Sequence, residues 1–183
     1  MSNTLEFEAK VLLSEQEYSS LLELFSNSLP YVQVNHYVDT IDLTLRKNKV
    51  SLRIREKDDC NELTLKTLIP GGGRQETTDL INDEQKESLK NGVSFPEGEV
   101  KRVLESLGYD VSNLEIVASL KTKRMDLEYL GGTLSLDENH YSDILDYEIE
   151  YESESLAKAE LILGALLESK DIKFIPNKTT KTA

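Results

Sequence analysis

Leu5, Phe7, Ala9 and Val11 alternate with Glu6, Glu8 and Lys10 in the run LEFEAKVLL. A period of two sends successive side chains to opposite faces, so this stretch predicts a strand with one apolar and one charged face. Ser14-Glu15-Gln16-Glu17 then has the form of a capping box, with Leu13 and Tyr18 placed as a hydrophobic staple. A helix is expected directly after it, burying Tyr18, Leu21, Leu22 and Phe25. Strand patterning returns in His36–Thr40, Lys49–Glu56, Asn61–Leu68 and Arg74–Leu80. The turns LysAspAspCys and ProGlyGlyGly between the last three predict an antiparallel meander. From Asn82 to Gly108 the period lengthens on either side of Pro96, which predicts an insert of short helices. Alternation resumes in Glu115–Glu128, Gly132–His140 and Asp146–Glu152, and Ser153–Lys170 reads as an apolar-faced helix. The total of about eight strands suits a closed barrel whose interior holds side chains or one small ligand.

The polar faces of these strands are unusual. Arg53 and Arg55 oppose Leu52 and Ile54, and Glu62, Thr64 and Lys66 oppose Leu63 and Leu65. Arg74 shares a face with Glu76, Thr133 and Ser135 with Asp137, and Glu148 with Glu150. Alternating charge most often marks the solvated side of an antiparallel sheet. Like charges at spacing two, however, repel unless opposite charge lies between them. Paired glutamates suit a divalent metal, and paired arginines suit phosphate.

Composition narrows the classes. At 183 residues the chain suits one domain with a substantial core. With 34 Asp+Glu against 21 Lys+Arg, the net charge of -13 argues against general binding to nucleic acid or anionic membranes. Cys60 is the single cysteine, residues 1–30 lack signal-peptide character, and no apolar run reaches membrane-spanning length, so a soluble cytoplasmic protein is expected. No Cys/His cluster suggests zinc. Gly71-Gly72-Gly73 is not followed by GK[ST] and reads as a hairpin. His36 and His140 read as ordinary surface or edge residues. Lys121 and Lys123 share one face and Arg124 the other, leaving a bulge or twist to decide which points inward.

Taken in order, ExExK at Glu6, Glu8 and Lys10, Tyr37-Val38-Asp39-Thr40, LRIR at Leu52–Arg55, ELTLK at Glu62–Lys66, Arg74-Gln75-Glu76, Lys123-Arg124, Leu136-Asp137 and YEIE at Tyr147–Glu150 resemble the CYTH superfamily, the triphosphate tunnel metalloenzymes. The resemblance covers essentially the whole chain. It implies an α+β fold: an eight-stranded antiparallel barrel with flanking helices, as a single domain over 1–183 with the insert at about 82–108. The charged faces would point inward, while Leu5, Phe7, Ala9 and Val11 pack outward under helices. Glu6, Glu8, Asp137, Glu148 and Glu150 would hold Mg²⁺ or Mn²⁺. Lys10, Arg53, Arg55, Lys66, Arg74 and Arg124 would cradle a triphosphate, with Lys178 of NKTTK resembling the carboxy-terminal lysine that returns to the tunnel. The family pattern favours Arg124 over its lysine neighbours. Glu6, Glu8, Lys10 and Arg55 form the expected catalytic set. Tyr37 and Asp39 sit either at the tunnel mouth or in a structural role.

The implied activity is metal-dependent hydrolysis of inorganic, thiamine or nucleoside triphosphate. The alternatives are a class IV-type adenylate cyclase and a non-catalytic polyphosphate or nucleotide binder. The expected partner is a small-molecule triphosphate, with neither nucleic acid nor membrane, and the oligomeric state, including a homodimer, stays open.

Overall fold

The computed structural model describes residues 2–71 and 73–177. The strands are β1 (Ser2–Leu13), β2 (Tyr31–Asp39), β3 (Ser51–Glu56), β4 (Asn61–Leu68), β5 (Arg74–Ile81), β6 (Glu115–Tyr129), β7 (Gly132–Tyr141) and β8 (Ile144–Ser153). They close into a barrel in the order β1-β5-β4-β3-β2-β6-β7-β8. The helices are α1 (Glu15–Leu21), α2 (Thr44–Lys47), α3 (Asp83–Lys90), α4 (Glu99–Ser106) and α5 (Leu156–Glu168). None is long and apolar enough to cross a membrane.

Local chemistry accounts for the helix starts. In the capping box of α1, the Glu17 amide donates to Ser14 Oγ (3.3 Å) and the Ser14 amide to Glu17 Oε2 (2.7 Å). The same device opens α3, where the Gln85 amide donates to Asn82 Oδ1 (2.8 Å) and the Asn82 amide to Gln85 Oε1 (3.0 Å). α4 starts at Gly98, which has no side chain to cap with. Asp79 of β5 substitutes, its Oδ2 accepting the Val100 amide at 2.8 Å. α2 was not foreseen: Asp39, only 5% exposed, accepts the amides of Leu45 and Arg46 (2.8 and 3.0 Å). That distant carboxylate, more than any local pattern, nucleates the turn.

The chain forms two compact units. The first comprises Met1–Leu5, Gln33–Ile69 and Arg74–Leu120. Its core gathers the apolar faces of β3 and β4 (Leu52, Ile54, Leu63, Leu65) with Val38, Ile81, Leu89 of α3 and Val100 and Leu104 of α4. The second comprises Glu6–Val32, Pro70–Gly73 and Lys121–Ala183. Here Ala9, Val11 and Leu13 of β1 pack with Met125, Leu134, Leu136, Ile149 and Tyr151, under Tyr18 and Leu21 of α1 and Leu163, Leu166 and Leu167 of α5. Each core thus consumes the apolar side of its strands, and in a closed barrel the alternate side is the interior one.

Some expectations are corrected in detail. Leu22 is 38% exposed because the chain tightens into a 3₁₀ turn (Leu22–Phe25) that rotates it away, while Phe25 stays buried. Leu5 is 61% exposed, so the buried apolar stripe of β1 starts later, at Phe7 and Ala9. β2 begins at Tyr31, five residues before the expected His36.

Gly132 sets a steric limit. A Cβ there would collide with the Glu152 carbonyl oxygen and the Tyr151 ring. Tyr151 is fully buried and its hydroxyl donates to the Tyr129 carbonyl (2.7 Å), so neither neighbour can yield cheaply. Gly132→Ala is expected to destabilise the protein by at least about 2 kcal/mol, through strain of the overpacking kind. Urea unfolding checks this; a midpoint equal to wild type would show that the β7–β8 edge is looser than described.

Candidate functional site

In the first unit, the face opposite the core carries cations. Arg53 and Arg55 of β3 are register-paired with Tyr37 and Asn35 of β2, and Arg53 with Thr64 of β4 on the other side. Thr64 is paired with Thr78 and Lys66 with Glu76 of β5. These registers place Lys66 Nζ 3.0 Å from Glu76 Oε2, and Thr78 donates to Glu76 Oε1 at 3.3 Å. Burial pushes the Glu76 carboxyl up, but the charges of Lys66, Arg53 and Arg55 outweigh it and hold the group below the usual glutamate range. Arg74 is half-buried on the same strand face as Glu76. Arg55 Nε donates to Asn35 Oδ1 at 3.0 Å. Arg53 Nε and Gln33 Oε1 are buried and have no hydrogen-bond partner among the described residues. A buried donor left unmatched costs about 1–3 kcal/mol, so the Arg53 N–H stands out on this face.

In the second unit, the corresponding face is acidic. Asp137 and Glu148 are 0% and 1% exposed and are register-paired across β7 and β8. With Glu150 they bring carboxylate oxygens within 4.8 Å of one another. Arg124 of β6, paired in register with Asp137, grips it through Nε and Nη2 (2.6 and 2.7 Å), and Nη2 also reaches Glu150 Oε2 (2.6 Å). Burial would lower the Arg124 pKa, but Glu150 and Asp137 carry it well above the usual arginine value. One guanidinium among three carboxylates leaves a formal charge of about -2, and the donors are all hard oxygens. That donor set fits Mg²⁺ or Mn²⁺ and disfavours a soft metal. From the carboxy-terminal segment, Asn177 donates to Glu148 Oε2 (3.0 Å) and its amide to the Lys10 carbonyl (2.7 Å).

The remaining expected residues fall as follows. Glu6, Glu8 and Lys10 are half-buried on the polar face of β1, with Lys10 Nζ 3.5 Å from Glu8 Oε1. Register pairs Lys10 with Glu150 and Glu8 with Glu152. Glu6 and Glu8 are not part of the Asp137–Glu148–Glu150 cluster. The β6–β7 ladder runs without interruption from Lys121↔His140 to Tyr129↔Gly132. Parity alone therefore puts Arg124 on the polar face, and Lys121 and Lys123 are exposed. Tyr37 is buried beside Arg53 in register, whereas Asp39 is occupied with α2. His36 bridges Ser119 and Glu56 on the opposite face of β2 (2.8 Å each). Lys178 lies outside the described residues. Gln33, Asn35 and Asn177 were missed. For the first two the signal was their period-two spacing with Tyr37 in QVNHY; for Asn177 no sequence signal existed.

A CYTH domain profile matches residues 4–182. The chain is similar to the Bacillus subtilis protein described as "Putative triphosphatase YjbK", with 34% identity over 187 residues, 99% of this chain and 93% of that one. It is similar to a solved structure from Bacillus halodurans described as "a putative adenylate cyclase", with a TM-score of 0.92 and 32% identity over 100% of this chain and 98% of that chain. The Hippeastrum structure described as "Putative adenylyl cyclase HpAC1" with dominant triphosphatase activity shares the fold, with a TM-score of 0.77 at 22% identity, covering 97% and 92% of the two chains.

Glu76 generates a pH prediction. Its carboxyl is held low in the folded state. The stability it contributes is therefore complete above the unfolded-chain value and is lost as pH falls through the folded one. Glu76→Gln should melt below wild type at neutral pH, and the gap should shrink on acidification. A gap independent of pH would place Glu76 outside the cationic cluster.

Proposed function

The chain belongs to the CYTH domain family, and on that premise we propose that it hydrolyses a phosphoanhydride bond of a small triphosphate bound inside the barrel. The observation that carries this reading is the cationic face of Arg53, Arg55 and Lys66, with Arg53 Nε buried and unmatched among the described residues. Guanidinium forks match phosphate oxygens bidentately, and Lys66 acts as a point charge. Glu76 holds Lys66 in place before ligand arrives. The 34% identical B. subtilis relative, named a triphosphatase, supports the same class of reaction.

Roles divide by sign. Arg53, Arg55 and Lys66 bind and orient the phosphate chain, and Lys10 and Arg74 extend the cationic set. Asp137, Glu148 and Glu150 would hold a divalent cation, and Glu6 and Glu8, which lie outside that cluster on the polar face of β1, are proposed to join them. Bound there, Mg²⁺ or Mn²⁺ supplies neutralisation of charge developing on the phosphates and acidifies water. Arg124 keeps the three carboxylates converged and prevents their mutual repulsion from opening the site. Asn177 fixes the orientation of Glu148.

A second reading, adenylate cyclisation, is favoured by the description of the 32% identical B. halodurans structure. The products separate the two. Hydrolysis releases orthophosphate, whereas cyclisation releases pyrophosphate and a cyclic nucleotide. With tripolyphosphate, thiamine triphosphate and ATP, each with Mg²⁺ or Mn²⁺, orthophosphate is the expected product. Glu150→Gln should lower kcat about 100-fold or more while the protein stays folded, the scale of removing one preorganised electrostatic group. Full turnover in that variant, or cyclic AMP as the main product from ATP, would overturn the hydrolytic reading.

A further inference from the structure

We propose that Glu76 is the resident counterion of the cationic face and that a bound triphosphate, by taking over its cations, draws a proton onto its carboxyl; the inference rests on the function proposed above. Glu76 lies on the polar face of β5, register-paired with Lys66 of β4, whose Nζ stands 3.0 Å from its Oε2. The charges of Lys66, Arg53 and Arg55 all act on this one carboxylate. Arg74 shares its strand face. Glu62, the other carboxylate on the polar face of β4, is engaged by Lys57 at 2.9 Å, and residues 2–5, the part of β1 in this unit, carry no ionisable side chain. One anion therefore serves several cations, and those cations are the residues assigned to the phosphates.

The two oxygens of Glu76 are held differently. Oε2 faces the Lys66 ammonium, whereas Oε1 accepts from the Thr78 hydroxyl at 3.3 Å, and Thr78 Oγ1 lies 3.1 Å from Oγ1 of the buried Thr64. A hydroxyl both donates and accepts, so this chain can reverse: a protonated Oε1 donates to Thr78 Oγ1, and Thr78 donates to Thr64. The acid form thus keeps its hydrogen bond. In the free protein the neighbouring cations hold the carboxyl ionised, below the usual glutamate range. A triphosphate at Arg53, Arg55 and Lys66 offsets those cations and sets further negative charge beside a half-buried carboxylate, and both effects favour the neutral acid. The proton comes from solvent. The same linkage runs in reverse: ionised Glu76 opposes the ligand, so the group that stabilises the free fold also limits its affinity for the polyanion.

The test uses the whole protein with tripolyphosphate in Mg²⁺-free buffer, where the ligand is not consumed. In wild type the Glu76 side-chain carboxyl carbon, assigned by NMR through its own backbone, should titrate below the ordinary glutamate range when free and at higher pH when saturated with ligand. For each unit of that rise, calorimetric affinity should improve about tenfold on acidification from the loaded midpoint to the free one, beyond any change seen in Glu76→Gln, which shares the ligand's own protonation but lacks this carboxyl. At neutral pH Glu76→Gln should bind tripolyphosphate more tightly than wild type by the same factor, although it melts lower. A midpoint that stays or falls on loading, or a variant that binds no more tightly than wild type, would overturn the counterion role and leave Glu76 as an orienting partner of Lys66. Binding by wild type only when Mg²⁺ is present would overturn it too, since the cationic face would then not hold the anion by its own charge. Absence of tripolyphosphate binding to wild type both with and without Mg²⁺ would instead overturn the functional reading, and this inference with it. Should Glu76→Gln fail to fold, the wild-type titration decides alone.

Discussion

A charge removed from water must be met by another charge or by hydrogen bonds, and this constraint shapes the polar side of every strand bearing the site. Arg124 shows it most directly. Its guanidinium holds Asp137 at 2.6 and 2.7 Å and Glu150 at 2.6 Å, and Asp137 is fully buried. Without that cation, three converging carboxylates would repel one another. On the cationic face, Lys66 and Glu76 make the reciprocal arrangement. The apolar faces provide folding energy through two cores, which frees the opposite faces to carry chemistry. The division follows from the two-residue period of the strand and nothing more elaborate.

Most of this architecture was legible because the period was unbroken where it mattered. Along β3, β4, β7 and β8, Leu52, Ile54, Leu63, Leu65, Leu134, Leu136, Ile149 and Tyr151 reach a core, and Arg53, Arg55, Glu62, Lys66, Asp137, Glu148 and Glu150 lie on the alternate face, with Glu56 and Glu138 taking the apolar parity towards the strand ends. Arg124 was ambiguous only while a bulge was conceivable; a continuous ladder makes parity decisive. β2 was legible only in part. Gln33 and Asn35 are 2% and 3% exposed, yet as neutral amides flanked by an exposed Val32 they give no hydrophobic contrast to read. α2 was obscured for a related reason, since its amides are satisfied by Asp39 from another element. Asn177 lies in the NKTTK segment whose return the family resemblance implied, but nothing in that motif singles out the asparagine itself.

The site's asymmetry also bears on its selectivity. A net charge of -13 disfavours long polyanions, and under the proposed function the gathered arginines and lysine would take up a compact one. In the first unit Arg53 Nε and Gln33 Oε1 are buried with no hydrogen-bond partner among the described residues, and in the second the acidic face carries excess negative charge. Under the proposed function, a small polyphosphate would satisfy the first and a divalent cation the second.

Thermal unfolding of the wild-type protein would show whether a small triphosphate and a divalent cation bind cooperatively. Melting would be followed with tripolyphosphate alone, Mg²⁺ alone, both together, and orthophosphate with Mg²⁺. A ligand that binds only the folded state stabilises it by RT ln(1 + [L]/Kd) and so raises the melting temperature. The account predicts a larger rise with tripolyphosphate and Mg²⁺ together than the two separate rises combined, and little effect from orthophosphate. No shift with the pair, or an equal shift with orthophosphate, would contradict it.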